Sequence, residues 1–184
     1  MRRLVVAVLL SLSPLAALAE DEAPPPKPAG CTSEAHRGFD FWLGQWVVIG
    51  QKERPVGHSR ITKVLDGCAV LEEWYGFAYK GMSLNTYDPA TRLWRQSWTD
   101  QNGTVLSLAG SAEPSRMVLR GEAPGTGSTD ATRHEIEWTR VGPDEVRQVW
   151  RQAKGSAEFA TVFDGRYKRM DKKLELDSQC VVAK

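Results

Sequence analysis

From about residue 45 onward, short segments of alternating or β-rich character are separated by clusters of turn-forming residues. Turn signals such as "YDPATR", "DQNG" and "GPDE" supply positive φ angles or fix a reversal of the chain. Connections this short join antiparallel neighbours. Such a row of strands removes its exposed edges most simply by closing, so we predict an all-β, up-and-down antiparallel barrel of about ten strands. The predicted strands cover residues 45–51, 57–65, 68–77, 81–88, 92–100, 104–111, 116–122, 132–141, 145–153 and 158–168.

The segment "TSEAHRGFDFWLGQW" precedes the first predicted strand and is the best helix candidate in the chain. Thr32 or Ser33 can serve as the N-cap, and Glu34 then lies in the first turn, where an acidic side chain is favourable. Because this segment leads directly into the first strand, we predict that a short helix covers one end of the barrel.

The inward face of a strand can be assigned by asking which face carries charge. Residues 132–141 alternate charged or hydroxylated positions with His134, Ile136 and Trp138. Burying several charges would be costly, so these three side chains are predicted to face the interior. The same argument applied to "EVRQVWRQ" predicts that Val146, Gln148, Trp150 and Gln152 face inward. By analogy, the face of residues 92–100 that carries Trp94, Gln96, Trp98 and Asp100 is also predicted to face inward.

Two strands are less decisive by this test. Glu72 and Glu73 point to opposite faces of their strand. We place Glu72 inward because it shares a face with the apolar side chains of Val70 and Trp74. In "GMSLNTYD", Ser83, Asn85 and Tyr87 lie on one face and Met82, Leu84 and Thr86 lie on the other. Neither of these sets carries a charge, so the charge test leaves the orientation of this strand open.

The N-terminal residues have the composition of a targeting sequence. Two arginines precede the apolar run "LVVAVLLSLSPLAALA", which ends in the small-x-small pattern of a signal-peptide cleavage site. An uncleaved membrane anchor is the alternative, but the run is short and is broken by Ser11, Ser13 and Pro14. We therefore predict a signal peptide that is cleaved after Ala19.

Composition divides the rest of the chain into a linker, a domain and a tail. Loss of the two arginines with the signal peptide changes the formal net charge from +1 to −1. The next segment, "EDEAPPPKPAG", contains four prolines and predicts an extended linker. The predicted organisation is a signal peptide at 1–19, a linker at 20–30, a single barrel domain at 31–169 and a tail at 170–184, in a periplasmic or secreted protein.

Charge and metal-ligand spacing exclude several classes of partner. With 24 Lys and Arg against 23 Asp and Glu, the chain has no strong field for nucleic acid, and we expect no stable membrane anchor after cleavage. The three histidines and three cysteines lack metal-ligand spacing, so no metal is expected. A haem needs an axial ligand, and no histidine lies near the last strands, so no cofactor is expected.

The order of seven segments resembles one protein family. These are "FDFWLGQW", "GCAVLEEW", "GMSLNTYD", "LWRQSWTDQNG", "MVLRGE", "EVRQVW" and "TVFDGRY", which together span about residues 31–169. They resemble DUF1579, a family of exported bacterial proteins of unknown function. The resemblance implies a calycin or lipocalin-like barrel and names no reaction, cofactor or catalytic residue.

The resemblance also carries three more specific expectations. Gly44-Gln45-Trp46 is similar to the Gly-x-Trp opening of lipocalins, in which a late-strand arginine lies across the tryptophan. Arg166 or Arg169 is the candidate for that contact. The resemblance further favours the orientation of "GMSLNTYD" in which Ser83, Asn85 and Tyr87 face inward.

The third expectation concerns the odd number of cysteines. In an oxidising compartment, two of Cys31, Cys68 and Cys180 should pair and one should be left over. Cys31 and Cys68 lie inside the family-like region and Cys180 lies in the tail, so we predict a Cys31–Cys68 disulfide. A Cys31–Cys180 bridge is the alternative.

The predicted interior is both aromatic and polar. Trp42 and Trp46, near the floor of the barrel, are expected to serve packing alone. The buried polar groups must either pair completely with one another, around trapped water, or be used on a ligand. We favour a ligand-lined cavity. The predicted ligand-binding residues are Glu72, Trp74, Ser83, Asn85, Tyr87, Trp94, Gln96, Trp98, Asp100, His134, Trp138, Gln148 and Trp150.

Two classes of function are compatible with such an interior. The first is a binding module for a small polar or aromatic molecule, held between rings and oriented by amides and acids. The second is a lyase or isomerase in which Glu72 or Asp100 acts as acid or base beside Tyr87. No nucleophile elbow or phosphate loop supports the second, so binding is preferred. Convergence of Glu72, Asp100 and Tyr87 on one pocket would reverse this ranking.

Overall fold

A computed structural model describes residues 30–124 and 130–170 of the chain. The predicted signal peptide, most of the linker and nearly all of the tail lie outside the described residues. The strands among the described residues are β1 Gly44–Ile49, β2 Pro55–Val64, β3 Ala69–Gly76, β4 Lys80–Asp88, β5 Leu93–Asp100, β6 Val105–Glu113, β7 Arg116–Ala123, β8 Thr132–Gly142, β9 Glu145–Lys154 and β10 Ala160–Arg169. Within the same residues, no helix is long and apolar enough to cross a membrane.

The described strands form one closed antiparallel barrel, which confirms the predicted fold class. Each strand pairs with its neighbours in sequence, and β10 pairs with β1 to complete the ring. All ten predicted strands are present, with bounds that differ from the prediction by two residues or fewer. The pattern succeeds because alternation and turn chemistry agree in every segment.

The inward faces also follow the charge argument. Outside the barrel, Glu135 contacts Arg120 and Arg151, and Asp164 contacts Arg147, which agrees with the predicted outward orientation of Glu135, Arg147 and Arg151. The inward orientation is confirmed by burial for Glu72, Ser83, Asn85, Trp94, Gln96, His134, Ile136, Trp138, Val146 and Gln148.

The segment before β1 forms two short 3-10 helices, Glu34–Arg37 and Asp40–Trp42, instead of one continuous helix. Ser33 occupies the predicted N-cap position, but its hydroxyl lies 2.7 Å from His36 Nδ1 and caps no backbone amide. The helices are separated at Gly38, where a Cβ would lie only 2.6 Å from the Cβ of Ala112 on β6. The close contact with the barrel wall therefore requires a glycine, which is a poor helix former.

The same segment closes one end of the barrel, as predicted. We call residues 33–43 the closing segment, the end that it covers the closed end, and the opposite end the open end. The side chains of Phe39 and Trp42 are completely buried in the barrel interior. The Trp94 indole Nε1–H on β5 donates to the Ala35 carbonyl at 3.2 Å, which fixes the segment to the wall. Aromatic packing therefore fills this end.

An arginine from the last strand locks the first strand in place. The guanidinium of Arg169 lies over the Trp46 ring at 4.2 Å from its centroid, and its Nη1 donates to the Leu43 carbonyl at 3.1 Å. Gly44 adopts φ +139°, and a side chain there would collide with the same guanidinium. Of the two candidates from the sequence, Arg169 makes the contact, while Arg166 pairs with Glu53 on the surface.

A disulfide joins the start of the domain to the barrel. Cys31 and Cys68 are bonded, with their Cα atoms 4.8 Å apart, which confirms the predicted pair. Cys68 follows a third 3-10 helix, Leu65–Gly67, and immediately precedes β3. Cys180 lies outside the described residues. A disulfide is typical of proteins that work in oxidising, extracytoplasmic compartments.

Candidate functional site

A narrow cavity enters the barrel from the open end. Its accessible volume is about 40 Å³. This volume is well below the roughly 300–1,000 Å³ of typical small-molecule sites, which shows that the walls lie close together. A slender or flat molecule, or a few waters, matches these dimensions.

Aromatic side chains make most of the cavity wall. They are Trp74, Tyr79, Trp98, Trp138, Trp150, Phe163 and Tyr167. Ring contacts connect several of them: Trp74 lies 6.4 Å from both Tyr79 and Phe163, and Tyr79 lies 6.5 Å from Trp98. Leu106 and Ile136 complete the apolar lining, and Glu72, Gln96 and Gln148 supply its polar groups. The cavity therefore combines a continuous aromatic surface with three polar side chains.

Glu72, on β3, is the ionisable acid of this lining. Its side chain is buried and accepts hydrogen bonds from Ser83 Oγ at 2.9 Å and Ser59 Oγ at 3.2 Å. Burial raises the pKa of Glu72 from 4.5 to about 7, because the charged form loses water, and the two serine hydroxyls only partly oppose this effect. No cationic side chain contributes to that balance among the residues that the structure describes.

A relay of hydrogen bonds connects Glu72 with β4 and β5. Gln96 Nε2 donates to Asn85 Oδ1 at 2.8 Å, and Asn85 Nδ2 donates to Ser83 Oγ at 3.0 Å. Asn85 also donates to the Val70 carbonyl at 3.1 Å. Ser83 and Asn85 are fully buried behind the lining, so their polar groups are used within the protein. Part of the predicted polar set is therefore a satisfied network, which was the alternative to ligand contact.

Other parts of the cavity lining retain hydrogen-bonding capacity. Tyr167 Oη donates to Gln148 Oε1, which leaves the Gln148 amide nitrogen for another partner. Burial raises the pKa of Tyr167 well above its usual value, so the phenol remains a donor. The indole nitrogens of Trp74 and Trp138 are buried, and neither has an acceptor among the described protein atoms. Such an unpaired buried donor costs about 1–3 kcal/mol.

The structure brings seven of the thirteen sequence-predicted site residues to the cavity. They are Glu72, Trp74, Gln96, Trp98, Trp138, Gln148 and Trp150. Ser83 and Asn85 lie behind it in the relay. His134 is also behind the lining and accepts the Trp150 Nε1–H on Nδ1 at 3.1 Å. Burial lowers the pKa of His134, which favours the neutral ring that can accept this bond.

Two predicted residues lie at the closed end. Trp94 faces inward as expected, but its ring contacts Phe39 at 5.7 Å, within the packed closed end. Tyr87 lies 5.1 Å from the His36 ring and 6.2 Å from Trp94. The closing segment covers both side chains, so the structure places them away from the cavity.

Asp100 lies at the other extreme of the barrel, as the last residue of β5. Its Oδ1 accepts the backbone N–H groups of Asn102 at 2.9 Å and Thr104 at 3.0 Å, which stabilises the turn. In the β4–β5 register, Gly81 faces Asp100 and Tyr87 faces Trp94. Six positions therefore separate Tyr87 from Asp100, about 20 Å along the strands. The two carboxylates and the phenol do not converge on one pocket, and the geometry that would favour the enzyme alternative is absent.

Sequence reasoning did not select five residues that line the cavity. These are Tyr79, Leu106, Ile136, Phe163 and Tyr167. Phe163, Gly165 and Tyr167 occupy every second position and therefore share one face of β10. The period-two pattern could have identified Phe163 and Tyr167 as residues on a common face. Tyr79 lies in the connection between β3 and β4, where no periodicity indicates direction.

The described residues contain no group of three or more His, Cys, Asp or Glu side chains that is suited to hold a metal ion. No family model matches the chain, and no curated protein is significantly similar to it. The function must therefore be argued from the cavity itself.

Proposed function

We propose that this protein is an exported, lipocalin-like barrel that binds a small polar or aromatic molecule in the cavity at its open end. The observation that carries the proposal is the Trp138 side chain, which lines the cavity and is only 1% exposed, while its indole N–H has no acceptor among the described protein atoms. A bound molecule with an acceptor group supplies that partner and removes the cost of burial.

The rest of the lining favours the same kind of ligand. The aromatic walls offer apolar contact and ring stacking, and the Gln148 amide nitrogen can orient a polar substituent. Because the walls lie close together, a flat ring fits better than a bulky or branched molecule. The closed end, which is filled by Phe39 and Trp42, supplies a rigid floor that holds the walls in place.

Export is part of this proposal and has two sources of support. The first nineteen residues have the composition of a cleavable signal peptide. The Cys31–Cys68 disulfide is favoured by an oxidising compartment. The resemblance of residues 31–169 to DUF1579, with its exported members, agrees with both.

Titration with benzamide tests the binding proposal. Benzamide is flat and neutral, and its carbonyl can accept the Trp138 N–H. We expect the indole N–H resonances of Trp138 and Trp98 to shift in a proton–nitrogen correlation spectrum, and that of Trp42, which contacts the Trp138 ring but does not line the cavity, to shift less.

A pair of variants provides the control. Trp138→Phe keeps a ring but removes the N–H, and we expect benzamide affinity to fall at least fivefold, as loss of a hydrogen bond worth about 1 kcal/mol requires. Trp42→Phe removes an indole N–H that is equally buried and unpaired but lies at the closed end. Equal effects of the two substitutions, or no shift at millimolar benzamide, would contradict the proposal.

A further inference from the structure

The cavity contains an acid without a basic partner. Glu72 is only 4% exposed, and the other ionisable groups of the lining are the phenols of Tyr79 and Tyr167. The neighbouring acid on β3, Glu73, lies on the outer face and pairs with Arg60 at 2.6 Å. The strand thus places a compensated carboxylate outside the barrel and an uncompensated one inside.

The two serine contacts leave room for further hydrogen bonds to the Glu72 carboxylate. Ser59 donates to Oε1 and Ser83 donates to Oε2, one bond to each oxygen. An ionised carboxylate can accept about four hydrogen bonds in total. Each oxygen can therefore accept one more, which is the arrangement that a forked pair of N–H donors recognises.

The aromatic walls add a preference for one sign of charge. The faces of tryptophan and tyrosine rings carry negative electrostatic potential and attract cations. Trp74 and Glu72 lie on the same face of β3, and Trp98 lies across from Ser83 in the β4–β5 register. The carboxylate and the ring wall thus belong to one surface.

We propose that the ligand is a small organic cation, of the amine or amidine class, whose N–H groups bind the Glu72 carboxylate while its body lies between the aromatic rings. This inference rests on the proposed binding function and assigns the charge of the ligand. The bound cation supplies the counter-charge that the lining lacks at this position, and the low dielectric of the buried site strengthens the Coulomb attraction between the two charges.

Three nearly isosteric probes test the charge on the native protein. Benzamidine is cationic, benzamide is neutral and benzoate is anionic, and all three are flat rings with one forked substituent. By isothermal titration calorimetry at about pH 8, we expect benzamidine to bind at least tenfold more tightly than benzamide, and benzoate to bind more weakly than either. This comparison needs no substitution, so it stands even if a variant fails to fold.

Substitutions at neighbouring positions of β3 locate the effect. We expect Glu72→Gln to lower benzamidine affinity at least tenfold more than it lowers benzamide affinity. The glutamine retains two hydrogen bonds, because its amide can donate to Ser59, whose hydroxyl already faces the Glu73 carbonyl at 3.4 Å. Glu73→Gln removes one negative charge from the outer face of the same strand and should change neither affinity.

The outcomes separate this inference from the proposed function. If benzamide bound as tightly as benzamidine, and Glu72→Gln changed neither affinity, the charge assignment would be wrong and cavity binding would stand. If benzoate bound most tightly, the charge assignment would also be overturned. If none of the three bound at millimolar concentration, both the inference and the proposed function would be overturned.

Discussion

The two ends of the barrel interior use the same side chain for different purposes. At the closed end, Trp46 Nε1 donates to the Trp42 carbonyl at 2.9 Å and Trp94 Nε1 donates to Ala35. At the open end, Trp98 and Trp150 are half-buried, and Trp138, another residue of the cavity lining, has an indole N–H with no acceptor among the described protein atoms. At the closed end, tryptophan side chains complete a packed core. At the open end, they line the cavity.

What distinguishes the two regions is the closing segment. Trp94 and Trp98 lie on one face of β5, four positions apart, so their strand environment is the same. Phe39 reaches the first of them, and the second borders the cavity. The role of an inward aromatic residue therefore depends on its depth in the barrel, and substitutions at matched positions can test this.

The largest expected effect comes from truncating these two tryptophans. We expect Trp94→Ala to lower the free energy of unfolding by about 3–5 kcal/mol, because it leaves a cavity in a packed core and removes the bond to Ala35. Trp98→Ala should cost about 1–2 kcal/mol, because its ring is half-buried beside existing space. Urea unfolding followed by circular dichroism measures both. Equal losses would remove the distinction between the two ends.

The disulfide should act on the closed end alone. The bond closes a loop with a sequence separation of 37 residues. Removing it with Cys31→Ser and Cys68→Ser together should cost about 3–4 kcal/mol by the chain-entropy model. Benzamide affinity, measured by calorimetry under conditions where the variant is folded, should not change. A loss of binding would show that the two ends are coupled.

The pH dependence of stability should distinguish the interior acid from its exterior neighbour. The pKa of Glu72 is raised from 4.5 in water to about 7, so the folded state holds this proton more tightly than the unfolded state. Relative to Glu72→Gln, the native protein should therefore lose stability as pH rises from 4.5 through 7, by about 2–3 kcal/mol between about pH 5 and pH 8. Groups that are the same in both proteins cancel in the difference.

Glu73→Gln provides the control for that measurement, with the opposite sign. The hydrogen bond from Arg60 lowers the pKa of Glu73, so this carboxylate adds stability above its unfolded pKa and loses it as pH falls. Urea unfolding at several pH values gives both differences. Parallel pH profiles for the two variants would show that the interior carboxylate is not penalised by burial.

The smallest expected effect concerns Gln96, at the boundary between the two regions. Gln96→Leu removes the donor to Asn85 Oδ1, and the buried amide oxygen that remains should cost about 1–3 kcal/mol of unfolding free energy. Gln96→Glu retains the shape and replaces this donor with an acceptor, so it should cost at least as much. Differential scanning calorimetry compares the two. A neutral effect of both would mean that the relay contributes nothing to stability.

The strands and their faces could be predicted because each rests on local chemistry. Turn residues fix where strands end, and charges fix which side meets water, as Glu135 and Arg147 show. The Cys31–Cys68 pair could be predicted from its place in the family-like region. The closing segment was harder: its helical character was correct, but contact at Gly38 divides it into two 3-10 helices.

Depth in the barrel could not be predicted from the sequence. The alternation of side chains predicts that Tyr87, Trp94 and Trp98 point inward. Which of them reach the cavity depends on the register of the strands and on the position of the closing segment. The hydrogen-bond partner of a buried side-chain amide also depends on residues that are distant in the sequence. Gln96 has the residue type of a ligand contact, and its amide nitrogen is used on Asn85.

The lock between Arg169 and the start of β1 has a consequence for the order in which the chain folds. Arg169 and Leu43 are separated by 126 positions, whereas every other strand pair joins neighbours in sequence. Closing a loop of this size has the highest entropic cost in the barrel, and contacts of such long range form slowly. The nine hairpin-type pairings can therefore assemble first, and ring closure completes folding. Until Arg169 settles over Trp46, β1 and β10 expose open edges, and the newly made chain is most prone to aggregation.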